Sequence, residues 1–377
     1  MWTMKMSKIC IISANSLESE NASRNRILSL VNAALEQGHE VKLISMDHDN
    51  YHLLEDANFN HHKIPFIDTK IPSFVKRALL EMKIASLALK KAKEMSCDIN
   101  LITIPSMFLL HMSALLPAHK INVLDIRDLS WEYLDTKSLI NRIAKTIFTK
   151  CALFNLKRFK IISVTNDHEF EYISKYVSNY QNMIKVPNGV SLSVFEQLSS
   201  VLENQSHKKT VTYVGNVGLA QDLSTLVEVS KQLPNVKFNI VGGGTDFERI
   251  YALADHAASN LNFLGRKNFN ELIEIYNSSD ILYAQLTPDF ATAMPSKLYE
   301  YLSTGKYIIY GGQGVASATL GKFENVSLIQ PCSVEILKQE IEKVFSEFNP
   351  SLSFLNRQKI QAQYIRDVTV KHLIYLF

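Results

Sequence analysis

Short apolar, β-rich runs alternate with helical periodicity along this chain, and the alternation runs through twice. Residues 8–13 (KICIIS) and 40–45 (EVKLIS) flank a helical pattern over 25–37 that ends at Gly38. This is a β-α-β unit, the building block of a parallel sheet. Further strands are predicted at 99–104, 122–126 and 161–165, with long helical patterns between them. The second half repeats the grammar in shorter units: strands at 211–215 (VTYVG), 237–242 (KFNIVG), 261–265 (LNFLG), 281–286 (ILYAQL) and 307–312 (YIIYGG), helices at 224–232, 247–256, 269–277 and 334–348.

A chain of 377 residues is too long for one ordinary core, so two α/β domains are expected. Pro187, Asn188 and Gly189 supply turn chemistry between the halves. The boundary is placed there, giving domains 1–189 and 190–377, with the last helix free to return to the first. Two open α/β domains predict a cleft between them, with ligands at the carboxyl ends of both sheets.

Composition narrows the function classes. With 46% hydrophobic and 20% charged residues the chain is globular. A net charge of only +3 argues against a nucleic-acid binder driven by phosphate neutralisation. Cys10, Cys97, Cys151 and Cys332 lie far apart without metal-ligand spacing, which suits reduced thiols. The start, MWTMKMSKICIISAN, lacks the pattern of a signal peptide, and no apolar run reaches the ~18 to 20 residues that span a bilayer. A cytoplasmic protein is expected.

The chemistry concentrates in FATAMPSKLYEYLSTGKYIIY, residues 290–310. Pro295 suits a first helical position, and Gly305 the left-handed residue past the helix end, so a helix is predicted over 295–302. Its first-turn backbone at Pro295, Ser296, Lys297 and Leu298, with the Lys297 charge, forms an anion site suited to a diphosphate. Glu300 shares a face with Lys297, and its carboxylate can accept two hydrogen bonds from a vicinal diol such as a ribose. On spacing alone, Glu300 can equally be a residue that complements the helix dipole.

PSKLYEYLSTGK resembles the signature of GT-B glycosyltransferases of the large group 1 family (family 4), in which a Pro-x-Lys-x-x-Glu helix binds the donor's diphosphate and ribose. YVGNVG (213–218), NIVGGGTDFERI (239–250), FLGRKNFNELIEIYNSSDI (263–281) and VPNGV (186–190) follow in the family's order. GNVG, DIRDLSWE (125–132) and PSKLYEY are similar to the subgroup of O-antigen and capsule transferases that add amino or deoxy sugars. The resemblance implies an α/β GT-B fold, two Rossmann-like domains facing each other across a cleft, the first binding acceptor and the second nucleotide sugar. The implied reaction moves a sugar from a nucleotide-diphosphate donor, UDP-linked by preference, to a polyprenyl-diphosphate-linked saccharide, with retention of configuration and without metal or other cofactor. Two alternatives stay open: a GT-B-fold nucleotide-sugar epimerase, and a membrane-bound scaffold that has lost catalysis. Thr292 motivates the latter, standing eight residues before Glu300 where the family usually has a second glutamate. The Arg and Lys that often follow the first donor-domain strand are also missing from GNVGLAQD.

Other residues take expected roles. Gly215, Asn216 and Gly218 form a turn whose amides can approach phosphate; the alternative is a tight βα turn. Gly242 to Gly244 lack dinucleotide spacing, and Gly243 suits a loop near the base. Arg266 can add phosphate charge. Asp125, Ile126, Arg127 and Asp128 follow a strand, where a carboxylate, Asp128 by preference, can position or deprotonate an acceptor hydroxyl and Arg127 can pair with it or meet a phosphate. An internal Asp–Arg pair is the structural alternative. Asn21, Ser23 and Arg24 can donate at a helix start but more often cap it. Asp47-His48-Asp49 spells DxD, yet a loop after the second strand and the absence of a third ligand beside His48 and His52 speak against metal.

From 136 to 166 there are seven basic residues and no acidic one: Lys137, Arg142, Lys145, Lys150, Lys157, Arg158 and Lys160. Ile140, Ala144, Ile147, Cys151 and Phe154 recur at helical spacing opposite some of them. Lys76, Lys83 and Lys90 stand seven apart beside Arg77, Lys91 and Lys93. Both segments read as basic amphipathic helices able to lie on anionic lipid, or as solvated helix faces. The expected partners are therefore a nucleotide sugar, a lipid-linked saccharide and an anionic membrane on its cytoplasmic side, with no nucleic acid.

Overall fold

The computed structural model describes residues 6–18, 21–68, 73–132, 134, 139–177, 182–205, 208–254, 259–348 and 351–377. By internal contacts the chain divides into two units, residues 1–188 with 366–377 and residues 189–365.

The first unit holds seven strands: β1 (Lys8–Ile12), β2 (Glu40–Met46), β3 (Phe59–Ile64), β4 (Ile99–Ile104), β5 (Ile121–Ile126), β6 (Ile161–Val164) and β7 (Met183–Lys185). They form one sheet in the order β3-β2-β1-β4-β5-β6-β7, every pair parallel. Its helices are α1 (Ala22–Glu36), α2 (Phe74–Met95), α3 (Met107–His111), α4 (Leu139–Leu156) and α5 (Asp167–Ser174). Successive side chains of β1 serve opposite faces, Ile9 and Ile11 entering one core and Cys10 and Ile12 the other. That double burial is why the strands read as continuous apolar runs.

The second unit contains α6 (Leu192–Ser199), β8 (Thr210–Val214), α7 (Ser224–Gln232), β9 (Lys237–Val241), α8 (Phe247–Leu253), β10 (Leu261–Gly265), α9 (Phe269–Asn277) and β11 (Ile281–Gln285). It continues with α10 (Ser296–Thr304), β12 (Tyr307–Gly311), α11 (Val315–Leu320), β13 (Val326–Ile329), α12 (Val334–Lys343) and α13 (Phe354–Gln363). The strand order is β10-β9-β8-β11-β12-β13, again all parallel. A last helix, α14 (Arg366–Ile374), belongs to the first unit and packs on α1.

Several predicted boundaries shift by one to three residues, α1 beginning at Ala22 rather than 25, and those at α10 and α12 change most in meaning. α10 begins at Ser296, with Pro295 at the cap in extended backbone (φ −61°, ψ 128°) rather than inside the first turn. It runs two residues further than expected, to Thr304, and Gly305 follows at φ +72°. The segment predicted as one helix to 348 stops at Lys343 and continues over Val344–Phe348 in wider, π-type turns. The last residues predicted for the helix at 247–256, from Asp255 on, and Lys137 in the basic stretch, lie outside the described residues.

In each sheet the chain winds outward in both directions from a central pair, β1/β4 in the first unit and β8/β11 in the second. At such a switch point the loops leaving the two strands part in opposite directions and open a crevice at the carboxyl ends.

Candidate functional site

In the second unit that crevice is a cavity of about 260 Å³. Its walls are Tyr213, Val214, Gly215 and Asn216 from the end of β8, with Gln221 beyond them, and Ala284, Gln285 and Leu286 from the end of β11. Pro295, Ser296, Lys297, Leu298 and Tyr301 of α10, and Tyr310 of β12, complete it.

Tyr301 fixes the helix to the sheet. Its hydroxyl accepts from the Val214 amide at 2.6 Å and faces the Val214 and Tyr283 carbonyls at 3.0 and 3.3 Å. The first turn of α10 is thereby held beside the β8 turn. Proline has no N–H, so the expected anion donors are fewer than the four residues first suggest. The Leu298 amide donates to the Pro295 carbonyl at 3.2 Å, which leaves Ser296 and Lys297 to donate outward. Lys297 Nζ is paired with Glu300 Oε2 at 2.6 Å, both side chains partly exposed. Glu300 stands one turn behind the cavity wall, on the same face as Lys297.

The GNVG turn is only partly open. The Gly215 amide donates to the Val241 carbonyl at 2.9 Å and the Val217 amide to the Gly243 carbonyl at 3.1 Å. Outward donation from this turn therefore rests on Asn216 and Gly218. Gly242, at φ +134°, shows why the loop after β9 is glycine-rich: a Cβ there would lie 1.8 Å from the Gly215 carbonyl oxygen. Gly243 belongs to a buttress under the GNVG turn. Arg266 is exposed, lies over Gly243 and lines no part of the cavity.

Two groups went unnoticed in the sequence. Tyr310 is fully buried, lines the cavity, and its hydroxyl has no hydrogen-bond partner among the described residues. Gln285 fixes the floor: its amide nitrogen donates to the Gln221 and Asp222 carbonyls at 3.0 and 2.9 Å, and its oxygen accepts from the Cys332 amide at 2.8 Å. Both sit in strands whose apolar neighbours mask them.

In the first unit the DIRD segment separates into distinct roles. Asp125 is no candidate base: it is fully buried and paired with an equally buried Arg26 at 2.6 Å. Thr103 and Ser163 also donate to it, at 3.2 and 2.6 Å. Burial pushes the Asp125 carboxyl up, but the Arg26 charge and these bonds outweigh it and hold it below the usual range. The remaining Arg26 donors reach the Val186 and Pro187 carbonyls at 3.1 and 3.2 Å. The internal Asp–Arg pair thus exists, with Arg26 rather than Arg127 as the arginine.

Arg127 is turned inward, donating to the Ile104 carbonyl at 3.3 Å and to Ser23 Oγ at 3.0 Å. Burial lowers it to about 10, so it stays a cation at neutral pH while serving as a brace. Asp128 follows it at the end of β5, half-buried. Nearby, Glu169 of α5 is buried and accepts from the Thr165 amide and hydroxyl at 2.7 and 2.8 Å. Asn21 caps α1 by accepting from the Arg24 amide at 2.9 Å, the commoner role for such a residue.

The DxD spelling dissolves into separate contacts. Asp47 is buried and accepts from the Leu17 amide at 2.7 Å and Ser16 at 2.9 Å, with Ser45 and His61 beside it. His48 instead faces Glu18 at 2.8 Å. Among the described residues no group of three or more His, Cys, Asp or Glu is placed to hold a metal ion.

Comparison with known proteins adds an independent line. Residues 194–360 match the family model "Glycosyl transferases group 1". The "Putative colanic acid biosynthesis glycosyl transferase WcaI" of Escherichia coli K12 is 26% identical over 209 residues, 51% of this chain and 50% of that protein. The chain thus spans about half the length of the curated relative it matches. Among solved structures, sucrose-phosphate synthase from Thermosynechococcus elongatus superposes with a TM-score of 0.77 at 15% identity over 98% of both chains. HepE of Anabaena, solved with UDP-glucose, gives 0.67 at 14% over 98% of both chains. At these identities the structures establish the fold, GT-B.

Proposed function

We propose that this chain, whose residues 194–360 form a group 1 glycosyl transferase domain, is a glycosyltransferase taking its sugar from a nucleoside diphosphate, UDP by preference. The acceptor in this reading is a saccharide on a polyprenyl diphosphate, used in building a surface polysaccharide. The colanic acid assignment of the WcaI relative and the UDP-glucose bound to HepE support the two halves of that statement.

The observation that carries the proposal is Lys297 at the open first turn of α10, inside a cavity at the sheet's switch point. The amides of Ser296 and Lys297, the helix dipole and the Lys297 ammonium converge there, and together suit a diphosphate. A cavity of about 260 Å³ lies below the ~300 to 1,000 Å³ of whole-ligand pockets, which fits the diphosphate end rather than the entire donor. Glu300, now satisfied by Lys297, becomes available to a ribose diol once the phosphates draw that lysine away. As the glycosidic bond breaks, negative charge grows on the leaving diphosphate, and fixed positive charge stabilises it most in that state. The account needs no cofactor.

In the first unit, Asp128 is the carboxylate assigned to the acceptor hydroxyl, with the Arg127 charge near it. Attachment to membrane falls to α2 and α4, which both pack against α3. Val75, Leu79 and Met82 of α2 are exposed, as are Leu139, Ile143, Ile147 and Phe154 of α4. Lysines and arginines share those faces, a combination suited to anionic lipid. Among the described residues no helix is long and apolar enough to cross a membrane.

Calorimetry with UDP and with uridine tests the donor site. Removing a charge-assisted contact of about 1.5 to 3 kcal/mol, Lys297→Ala should weaken UDP roughly 10- to 100-fold and leave uridine unchanged. Equal UDP affinity in wild type and variant would remove the site.

A further inference from the structure

Three tyrosines stand on the wall of the α10 cavity, and their hydroxyls are used differently. Tyr213 donates to the Asn216 carbonyl at 2.6 Å, and Tyr301 is bonded to the backbone of β8 and β11 as described above. The fold itself occupies both of these phenols. Tyr310 is as deeply buried as Tyr301, yet its hydroxyl meets no donor or acceptor among the described residues. A buried hydroxyl left unpaired costs the folded state its desolvation, and phenylalanine would fill the same space without that cost. The hydroxyl therefore calls for a partner from outside the fold.

The backbone shows where that hydroxyl stands. The Tyr310 ring runs along β12 toward the carboxyl end of the sheet, for a Cβ built on Gly312, two residues on, would lie 2.5 Å from its oxygen. Gly314 follows at φ +72°, where a Cβ would run into the Ala291 carbonyl, and the Val315 amide donates to that same carbonyl at 2.8 Å. The loop over 311–314 thus leans on the segment that leads into α10, with bare backbone at Gly312 against the phenol tip. Burial raises the phenol's pKa, so the group keeps its proton and remains a donor at every working pH.

The cavity is short of charge for the ligand assigned to it. Among its described lining residues Lys297 is the one cation, and it is already paired with Glu300. A diphosphate carries more than one negative charge and several acceptor oxygens, so one ammonium and the amides of Ser296 and Lys297 leave acceptors open. A protonated phenol on the same wall supplies a neutral donor, and its hydrogen bond to an ionised phosphate is of the stronger, charge-assisted kind. We propose that Tyr310 is a diphosphate-binding residue, its hydroxyl left unpaired by the fold and donated to a phosphate oxygen of the nucleotide as the Gly312 backbone gives way. The inference rests on the donor-site reading above and adds to it a residue that no motif marks.

Two measurements of opposite sign test it, both on the full chain carrying Tyr310→Phe. Urea unfolding without nucleotide should give a midpoint equal to or above that of wild type, because the unpaired hydroxyl is gone. Calorimetry should show UDP weakened about tenfold or more, with uridine unchanged. Tyr301→Phe supplies the contrast: its hydroxyl is bonded within the fold, so its midpoint should fall. A lower midpoint for Tyr310→Phe would show the hydroxyl paired inside the fold and overturn the proposal. Unchanged UDP affinity, or an equal loss for uridine, would overturn it as well. If Lys297→Ala weakens UDP while Tyr310→Phe does not, Tyr310 alone is removed; if neither variant matters, the donor site falls with it.

Discussion

Carboxylates buried at the strand ends of the first unit are held in opposite protonation tendencies. Asp125 has Arg26 at 2.6 Å and stays below the usual range, whereas Glu169 is pushed up to about 7. Burial is the main cause, and the Asp128 charge adds to it, against the bonds from Thr165. A carboxyl whose folded value is raised binds more protons folded than unfolded, so stability falls as pH rises from its unfolded value near 4.5 to about 7. Between pH 5 and 8 this group should remove about 2 to 3 kcal/mol. Glu169→Gln should therefore lose that much less stability than wild type over the same interval in urea unfolding. Identical pH profiles would show that Glu169 is not raised. None of this was legible in the sequence, because Arg26 and Asp125 lie 99 residues apart and only the sheet brings them together. Lys297 and Glu300 were legible because three residues on one helix fix their relative place without any tertiary information.

The parallel sheets announce themselves through apolar runs between helical periods, and most central strands were readable to within a residue. The strands that escaped are instructive. β3 reads FNHHKI, polar at four of six positions, β7 has only three residues and β13 only four; each pairs with a neighbouring strand that holds it extended. Pro295 shows another limit: proline suits N1 and the cap alike, and the contact of Tyr301 with Val214 sets where the helix starts. For α4 the sequence showed both basic and apolar residues at helical spacing; for α2 it showed only the basic ones, and the structure adds the exposed Val75, Leu79 and Met82. Reversing Lys76, Lys83 and Lys90, all exposed on α2, to glutamate should cut binding to vesicles with anionic lipid by more than 100-fold at low salt, at about 1 kcal/mol per basic group lost. Neutral vesicles should show no comparable change. Undiminished sedimentation with anionic vesicles would take the membrane role away from this helix.

At the scale of the molecule, two sheets of one topology each place a cavity where the winding direction reverses, and the two cavities differ in charge. The second unit offers a lysine at a helix N-terminus; the first offers acids beside stacked rings. The cationic helix end of the second unit is the feature that the proposed donor binding uses. The alternation of strands and helices made the architecture readable, and the Pro-x-Lys-x-x-Glu helix pointed to the α10 cavity as the candidate donor site. The cavity of the first unit was not, since its walls come from four loops and α2 with no local motif. Mass spectrometry after mixing the full chain with a panel of nucleotide sugars and polyprenyl-diphosphate saccharides is the most direct test of the whole account. The account predicts a gain of one sugar residue on the lipid-linked saccharide with stoichiometric release of nucleoside diphosphate, abolished or strongly reduced by Lys297→Ala. Conversion of the nucleotide sugar without acceptor, or no consumption of any donor, would contradict it.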